Sequence, residues 1–558
     1  MWTSPLWAHV LVLTIGLLAL VPVVGTSSSF SPDEAVAITQ ARSLAEGGGW
    51  IVEHPFPEVD PEGRFYPLAG SNRGAEGMAP FAKHPAYPLM LAAVEPVGGL
   101  AAMMVLSVLA TASAAALAAL LAREVTGGLE RPVLWAVGAA SPLLFDAYLV
   151  IAHSLGAAFA TAATLAVVAA IRRHRTILLT VAAAALMGAA VLMRSEALIF
   201  AVALGVGTAA AGITGRRHGL VAGGALVAGA GMAAALFEKW LLHLFIGSEQ
   251  AISVPAAGGS FLEARWAGFL NTWLSPSSSS GLGRGDTLLV IVMLLALAAV
   301  VVLRWRANRP HMLVVLAVTA TVLAALGFFA DPDRVVPGLL AAFPLAVFGI
   351  GLLDREYIQA PAHLVLTVTV GLFMAGVLAT QYGIGGSAEW GGRYFALGVP
   401  VLTVLSIDAL ARRGRSLPLP VRRWATAGLT ACSLLLAVGA ITSLASAHRS
   451  IDHLAGRLAA SVHAVPPGNA GAPVAVTSGP NIARHAWPTT PPQRWLYNSE
   501  EALGEGLASR LIDAGVTSLT FVGEDPEQVA PYLGHYTIDE ARSYKDGRWK
   551  VSVLVARP

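Results

Sequence analysis

The sequence has few charged residues and a single cysteine. Only 13% of its 558 residues are charged, whereas 55% are hydrophobic, and a soluble domain carries about 25% charged residues. This shortage excludes an ordinary soluble protein and indicates that most of the chain lies in lipid. Because Cys432 is the single cysteine, an internal disulfide framework and a cysteine-rich metal site are excluded. Cys432 falls in an apolar run. The sequence also lacks a basic stripe with interleaved aromatics, so nucleic acid is not an expected partner.

Apolar runs long enough to cross a bilayer recur up to residue 446. They predict an all-α polytopic membrane protein with about thirteen transmembrane helices of roughly 20 residues each. The predicted spans are 6–25, 98–122, 132–149, 153–171, 177–193, 197–214, 219–246, 287–303, 311–330, 335–353, 362–381, 394–411 and 424–446. We therefore expect one transmembrane domain over 1–446, with a long polar loop at 26–97 after the first span.

Arginines are distributed unevenly between the two sides of the predicted bundle. When successive connections alternate in side, one side collects most of the arginines, including Arg172, Arg216 and Arg412. Cytoplasmic loops carry this excess of basic residues, so the amino terminus is expected in the cytoplasm, and the loop 26–97 and the tail outside. The first span lacks the basic region of a cleaved signal peptide. The prediction is a multi-pass protein of the plasma membrane.

The tail, residues 447–558, has the composition of a soluble domain. Strands are predicted at 474–477 and 518–522 around a helix at 499–514, and 549–555 alternates like a strand after a turn. We expect a small extracytoplasmic α/β domain. Acceptor binding, a lid function and a purely structural role all remain open for it.

The run Ser31-Pro32-Asp33-Glu34 follows the first span directly. Ser31 as N-cap, Pro32 at the first helical position and Glu34 at the third form a predicted capping box, which opens a helix through about Ala45. Capping alone does not require Asp33. An acidic side chain there is therefore either a favourable charge at the helix amino terminus or a functional carboxylate.

The loop 26–97 contains a second distinctive run, Phe81-Ala82-Lys83-His84-Pro85-Ala86-Tyr87-Pro88. Lys83 and His84 could meet lipid headgroups or snorkel to the interface. The alternative is a cationic site for phosphate, with the prolines fixing the entry of the next segment.

Together the two runs resemble the GT-C membrane glycosyltransferases, in particular the group of protein O-mannosyltransferases and lipid A aminoarabinose transferases. The resemblance implies that Asp33 contacts the acceptor and acts as catalytic base, with Glu34 supporting it or capping. It implies that Lys83 binds the phosphate of the donor. His84 stands where this group usually has a proline, and Ala82 where it usually has an acidic residue. These departures from the family pattern affect the prediction of the donor sugar more than that of the reaction class.

A third run, Glu389-Trp390-Gly391-Gly392-Arg393-Tyr394, looks like a pattern frequent in bacterial members of this group. Arg393 beside glycines would offer a bidentate fork to phosphate, and the alternative is an interfacial aromatic belt with a snorkelling arginine. With His84, Arg194 is a further candidate for the donor phosphate, although a local ion pair with Glu196 is favoured there. Tyr87, Trp390 and Tyr394 are candidates for contacting acceptor or substrate.

Two other groups of residues invite a metal interpretation. Asp331-Pro332-Asp333-Arg334 is better explained as a turn that caps a helix, since nucleotide sugars are cytoplasmic and this loop is predicted outside. Glu53, His54, Glu58 and His153 have no ligand-like spacing. No metal site is predicted, and a divalent cation has no support in the sequence.

The expected function is transfer of a hexosyl or pentosyl group from a polyprenyl-phosphate carrier to a hydroxyl acceptor on a protein, lipid or cell-wall glycan, with inversion implied by the resemblance. The lipid-linked donor, the acceptor and the bilayer are the expected partners. A transporter of lipid-linked sugars and a non-catalytic assembly subunit are the alternatives. Transporters usually show internal repeats and ionisable residues in mid-span, and neither is evident.

Overall fold

The structure is a computed structural model and comprises two compact units. It describes residues 4–54, 56–61, 63, 65, 79–81, 83–173, 176–246, 261–269, 272–273, 338–346, 353, 357–380, 390–415, 417–463, 474–486, 494–498, 506–523, 526–546 and 549–557. The first unit comprises 1–20, 105–238 and 255–443, and the second comprises 21–104, 239–254 and 444–558. Each unit is described separately below.

Helices dominate the described residues. In chain order they are α1 (Leu6–Val24), α2 (Pro32–Ala45), α3 (Ala86–Thr126), α4 (Glu130–Ala140), α5 (Leu143–Asp146), α6 (His153–Arg173), α7 (Thr176–Val191), α8 (Glu196–Thr214), α9 (His218–Ile246), α10 (Phe261–Phe269), α11 (Leu339–Ala342), α12 (Pro361–Thr380), α13 (Val399–Gly414), α14 (Leu419–His463), α15 (Pro480–Ala486) and α16 (Leu507–Asp513). Seven of these described helices, namely α1, α3, α6, α8, α9, α12 and α14, are long and apolar enough to cross a membrane. The predicted polytopic helical architecture is confirmed.

The helices differ from the predicted spans in three places, one of which is α14, because this helix extends to His463, beyond the predicted end at 446. The span predicted at 132–149 is divided into α4 and α5, because Ser141 is extended (φ −109°, ψ 170°) and the residue before a proline is disfavoured in helix. Helix α3 begins at Ala86 and is kinked at Gly98 and Gly99, which have non-helical backbone angles. The predicted spans 287–303 and 311–330, and residues 335–337 and 347–352 of the span 335–353, lie outside the described residues, so the number of spans stays a prediction.

Close helix packing in the first unit depends on small residues. A Cβ atom on Gly205 of α8 would lie 2.6 Å from the carbonyl oxygen of Gly224 in α9, and one on Gly207 would lie 3.0 Å from that of Val365 in α12. Small residues at such contacts let helix backbones approach closely, which is the usual way that membrane helices pack. Helix α8 therefore has close backbone contacts on two sides.

The tail folds around a five-stranded sheet. Its strands are β1 (Val474–Thr477), β2 (Arg494–Tyr497), β3 (Ser518–Gly523), β4 (Tyr536–Asp546) and β5 (Trp549–Ala556), in the spatial order β2-β1-β3-β5-β4. Strand β1 is parallel to β2 and β3, whereas β5 is antiparallel to β3 and β4. The predicted small α/β fold and its three predicted strands are confirmed, whereas β2 and β4 were not predicted. Of the helix predicted at 499–514, α16 is observed and 499–505 lie outside the described residues.

One face of this sheet is covered partly by the loop 26–97. Phe56, Val59 and Phe65 are at most 2% exposed and belong to the same hydrophobic core as Val476, Leu496, Leu511 and Phe521. The backbone N–H of Tyr497 donates to the carbonyl oxygen of Phe65 at 2.6 Å. The loop and the sheet of the tail therefore share one core.

A buried histidine–aspartate pair shapes the loop segment that enters this core. His54 Nε2 lies 3.0 Å from Asp60 Oδ2, and His54 Nδ1 accepts a 2.9 Å hydrogen bond from the backbone N–H of Phe56. The same Asp60 oxygen accepts from the N–H of Phe65 at 2.7 Å. Both ring nitrogens of His54 are thus engaged inside the protein, and Asp60 links His54 to Phe65. These contacts hold Phe56 and Phe65 where they pack against the sheet.

We predict that Phe56→Ala weakens the fold of the tail. Removing a buried phenylalanine ring typically costs about 3–5 kcal/mol through lost burial and the cavity left behind. Limited proteolysis of the purified protein against temperature should show the tail cleaved at a lower temperature than in wild type. Phe261→Ala is the matched control, since that ring is 67% exposed. An unchanged cleavage temperature for Phe56→Ala would contradict the shared core.

Candidate active site

The start of α2 is fixed by a capping box. Ser31 Oγ accepts from the backbone N–H of Glu34 at 3.3 Å, and Glu34 Oε2 accepts from the backbone N–H of Ser31 at 2.7 Å. Pro32 occupies the first turn and the helix ends at Ala45, as the sequence predicted. Glu34 is only 1% exposed. Its carboxylate is therefore part of the helix cap.

Asp33 and Lys83 are brought together from distant points of the loop 26–97. Lys83 Nζ lies 3.7 Å from Asp33 Oδ1, and the two side chains are 37% and 32% exposed. The Lys83 ammonium also lies 5.7 Å from the centre of the Phe81 ring. A carboxylate and an ammonium group thus meet at a position that solvent can reach.

The exposure of this pair limits its contribution to stability. Partly exposed ion pairs contribute about 0–1 kcal/mol, because water screens the charges and two flexible side chains must be ordered. A ligand with a hydroxyl or phosphate group can therefore separate Asp33 and Lys83 at small cost to the fold.

Contacts along α2 fix the segment that carries Lys83. Gln40 Oε1 accepts from the backbone N–H of Phe81 at 3.5 Å, and Arg42 Nε lies 3.0 Å from Glu95 Oε1 in α3. These contacts tie the helix that carries Asp33 to the residues on both sides of Lys83.

His84 and Tyr87 lie at the entry to α3 and are both buried. His84 has a left-handed backbone (φ 50°), and its carbonyl oxygen accepts from the N–H of Tyr87 at 3.0 Å. The exposed fractions are 8% for His84 and 1% for Tyr87. Both side chains therefore belong to the protein interior beside Lys83.

Arg393 belongs to the first unit, where it opens a short 3-10 helix, Arg393–Phe395. Gly391 and Gly392 before it have φ of 78° and 69°, and a Cβ on them would lie 2.3 Å from Pro142 Cγ and 2.5 Å from the carbonyl oxygen of Thr272. Both positions therefore require glycine for backbone and packing reasons.

Arg393 and Trp390 each contact an aromatic side chain in the first unit. The Arg393 guanidinium lies 5.2 Å from the centre of the Tyr394 ring, and its Nη2 is 3.4 Å from the Tyr394 hydroxyl. Trp390, 3% exposed, stacks on Phe145 with the ring centres 6.0 Å apart. Asp146, which follows Phe145, is a buried carboxylate. The sequence analysis gave it no role, although an acidic residue within an apolar run is the signal that could have identified it.

Arg194 forms the local ion pair that the sequence favoured. Its Nε and Nη2 atoms lie 3.1 Å and 2.8 Å from the two carboxylate oxygens of Glu196. The two side chains are 13% and 10% exposed, so this bidentate pair is well shielded from water. A ligand phosphate would have to compete with Glu196 for the guanidinium.

The described residues contain no group of three or more histidine, cysteine, aspartate or glutamate side chains placed to hold a metal ion. His54 has both ring nitrogens engaged by Asp60 and Phe56. His153 is buried at the start of α6. The sequences Asp331-Pro332-Asp333-Arg334 and Glu389 lie outside the described residues.

Comparisons with known proteins give structural matches alone. A scan against protein-family models and a search of curated proteins each gave no match. The crystal structure of ArnT from Cupriavidus metallidurans in the apo state is 14% identical with a TM-score of 0.50, and 100% of each chain is covered. This similarity shows that the chain shares the fold of that structure, in agreement with the GT-C-like architecture that the sequence resemblance implied.

Two further solved structures are more distant. The Archaeoglobus fulgidus oligosaccharyltransferase in complex with Zn and sulfate is 12% identical with a TM-score of 0.47, covering 93% of this chain and 69% of that chain. The archaeal oligosaccharyltransferase AglB from the same organism, in complex with an inhibitory peptide and a dolichol-phosphate, is 12% identical with a TM-score of 0.41, covering 92% and 69%.

Substitutions of Glu34 can separate capping from catalysis. We predict that Glu34→Gln keeps the helix start and the activity, because glutamine serves equally well in a capping box. Glu34→Ala should lower the stability by about 1 kcal/mol, as loss of a cap usually does, and should reduce activity indirectly. Thermal unfolding and turnover of both variants provide the measurement. A Glu34→Gln protein that folds like wild type but has lost its activity would assign Glu34 a chemical role.

Proposed function

We propose that the protein is an integral membrane glycosyltransferase that moves a sugar from a polyprenyl-phosphate carrier to a hydroxyl acceptor. The observation that carries this proposal is the 3.7 Å approach of Lys83 Nζ to Asp33 Oδ1. These are the two residues to which the resemblance gives the roles of phosphate ligand and base. The GT-C fold and the apolar helices support the same reaction class.

The chemistry suits one carboxylate and one cation. The acceptor hydroxyl loses its proton to Asp33, and its oxygen forms a bond to the anomeric carbon of the sugar. The bond from that carbon to the phosphate oxygen breaks, and its electron pair leaves with the phosphate. Phosphate needs no proton to leave, so the second carboxyl group that glycosidases use is unnecessary. A single displacement of this kind inverts the anomeric configuration.

Cations stabilise the charge that develops on the departing phosphate. Lys83 is the proposed main ligand, with His84 beside it in sequence. Arg393 is proposed as a further donor ligand from the motif it belongs to. It is favoured over Arg194 because Glu196 already engages the Nε and Nη2 atoms of Arg194.

Tyr87, Trp390 and Tyr394 are proposed contacts to acceptor or substrate. Each is at most 9% exposed. They are therefore proposed as buried contacts, whereas Asp33 and Lys83 are the side chains that solvent reaches.

The proposed location is the plasma membrane, with the amino terminus in the cytoplasm and the tail outside. The arginine-rich connections support this orientation. It places Asp33 and Lys83 on the outer face, together with a hydroxyl acceptor on a protein, lipid or cell-wall glycan. The sugar is proposed to be a hexose or a pentose.

We predict that Asp33→Asn lowers transfer by at least about a hundredfold, since general-base catalysis typically contributes 10²–10⁴-fold. The assay follows labelled sugar from defined polyprenyl-phosphate donors with purified protein. Glu46→Gln is the matched control, because Glu46 is an exposed carboxylate at the other end of α2. Unchanged turnover in Asp33→Asn would remove the proposed base. Movement of intact donor across vesicles without sugar transfer would favour a transporter.

We predict that Lys83→Ala raises the KM for the donor roughly tenfold or more, because a charge-assisted hydrogen bond contributes about 1.5–3 kcal/mol. Lys83→Arg should retain most of the donor affinity. Lys239→Ala removes an exposed lysine of α9 and should leave the KM unchanged. Donor titrations at saturating acceptor give the comparison, and a wild-type donor KM in Lys83→Ala would contradict the phosphate assignment.

A further inference from the structure

A short serine-rich segment connects α1 to the helix that carries Asp33. Its residues Ser27 and Ser28 contact the carboxyl-terminal part of α14. Ser27 Oγ donates to Asp452 Oδ2 at 2.6 Å. Ser28 Oγ donates to the carbonyl oxygen of His448 at 3.0 Å and lies 3.2 Å from His448 Nδ1. We call these four residues the serine clamp.

The hydrogen bonds of the clamp are consistent with one protonation pattern. A serine hydroxyl has one proton, and in this structure Ser28 gives it to the His448 carbonyl. The contact with Nδ1 is then satisfied when Nδ1 carries a proton and donates it to Ser28 Oγ. Ser28 and His448 are each 1% exposed, so water cannot replace these hydrogen bonds and losing one partner leaves a buried polar atom unsatisfied.

Gly25 allows the chain to pass close to His448. Its φ is 106°, and a Cβ atom at this position would lie 3.5 Å from His448 Cβ. Other residues rarely adopt this φ. The end of α1 is thus shaped so that the next three residues run alongside α14.

The part of α14 that forms the clamp is also built into the core of the tail. Ile451, Leu454 and Leu458 pack in one hydrophobic cluster with Ala475 and Trp495 of the sheet. These three residues follow helical spacing, and His448 and Asp452 lie one turn apart on the neighbouring face. This part of α14 therefore contacts the sheet of the tail with one face and Ser27 and Ser28 with the neighbouring face.

The tail reaches the base-bearing helix by a second route as well. Helix α15, which follows β1 directly, packs against α2. The capping box sets how α2 begins but not where the helix lies in the molecule. Its placement depends on the clamp before Ser31 and on the contact with α15.

We propose that His448 and Asp452 are positioning residues that hold the serine segment and so place the Asp33 carboxylate for the reaction. The tail thereby sets the geometry of the catalytic base. Only two residues separate Ser28 from Ser31, so a displacement of Ser28 at the clamp also displaces the N-cap residue of α2. This inference rests on the proposed function of Asp33.

The test compares four variants of the full-length protein. Ser28→Ala and His448→Leu remove the clamp hydrogen bonds, and we expect kcat to fall roughly ten- to hundredfold, since a displacement of about 1 Å can cost a hundredfold. The donor KM should stay within about twofold of wild type, because Lys83 is untouched. His448→Asn can still donate to Ser28 and should restore most of kcat. Ser450→Ala, at an exposed position of α14, should behave like wild type.

Hydrogen exchange provides a readout that does not depend on turnover. Backbone amides of residues 26–36 should exchange faster in Ser28→Ala and His448→Leu than in wild type, while those of α12 should not change. If His448→Leu fails to accumulate, Ser28→Ala gives the same comparison with a smaller change.

The outcomes separate this inference from the proposed function. If Asp33→Asn is inactive while Ser28→Ala and His448→Leu keep the wild-type kcat, the positioning role is wrong and the function stands. If Asp33→Asn is fully active, the proposed base is wrong and the positioning role falls with it. If kcat falls but His448→Asn gives no rescue, the effect is not due to the hydrogen bond and the inference is overturned.

Discussion

The reciprocal hydrogen bonds between Ser31 and Glu34 are the interaction on which the candidate site depends. They bury the Glu34 carboxylate at 1% exposure, whereas the Asp33 side chain next to it remains 32% exposed. Two adjacent acidic residues thereby enter different environments, and environment decides which carboxylate is available for chemistry. Because the cap fixes the first turn of α2, it fixes where Asp33 lies relative to the rest of the helix.

Features that depend on neighbouring residues were predictable from the sequence. The capping box requires four consecutive residues, and the apolar runs and the strands β1, β3 and β5 depend on local composition, so all were found. The division of 132–149 at Ser141-Pro142 was missed because the run is apolar on both sides. Strands β2 and β4 were missed because their pairing partners, and not their own composition, make them strands.

In the candidate site, too, contacts between residues distant in the chain could not be predicted from local sequence. Asp33 and Lys83 were identified through a family resemblance, and their approach across the loop agrees with the roles that it implies. The serine clamp could not be found from the sequence, since Ser27 and Asp452 are 425 residues apart and a run of serines is typical of a linker. The need for glycine at Gly391 and Gly392 likewise depends on Pro142 and Thr272, which are distant in the chain.

The described helices of the tail are too short to cover both faces of its sheet. Its helices α15 and α16 have seven residues each, so one face is completed by Phe56, Val59 and Phe65 and the other by α14. A sheet must bury both apolar faces in some way. Here the missing layers come from parts of the chain that also shape the candidate site.

The core shared by Phe65 and Val474 has a consequence for biosynthesis. The chain between these two residues is about 400 residues long, and at about 5–20 residues per second the ribosome takes roughly 20–80 s to make it. During that interval Phe56, Val59 and Phe65 have no sheet to pack against. The segment can complete its packing only when the strands of the tail, synthesised about 400 residues later, are available.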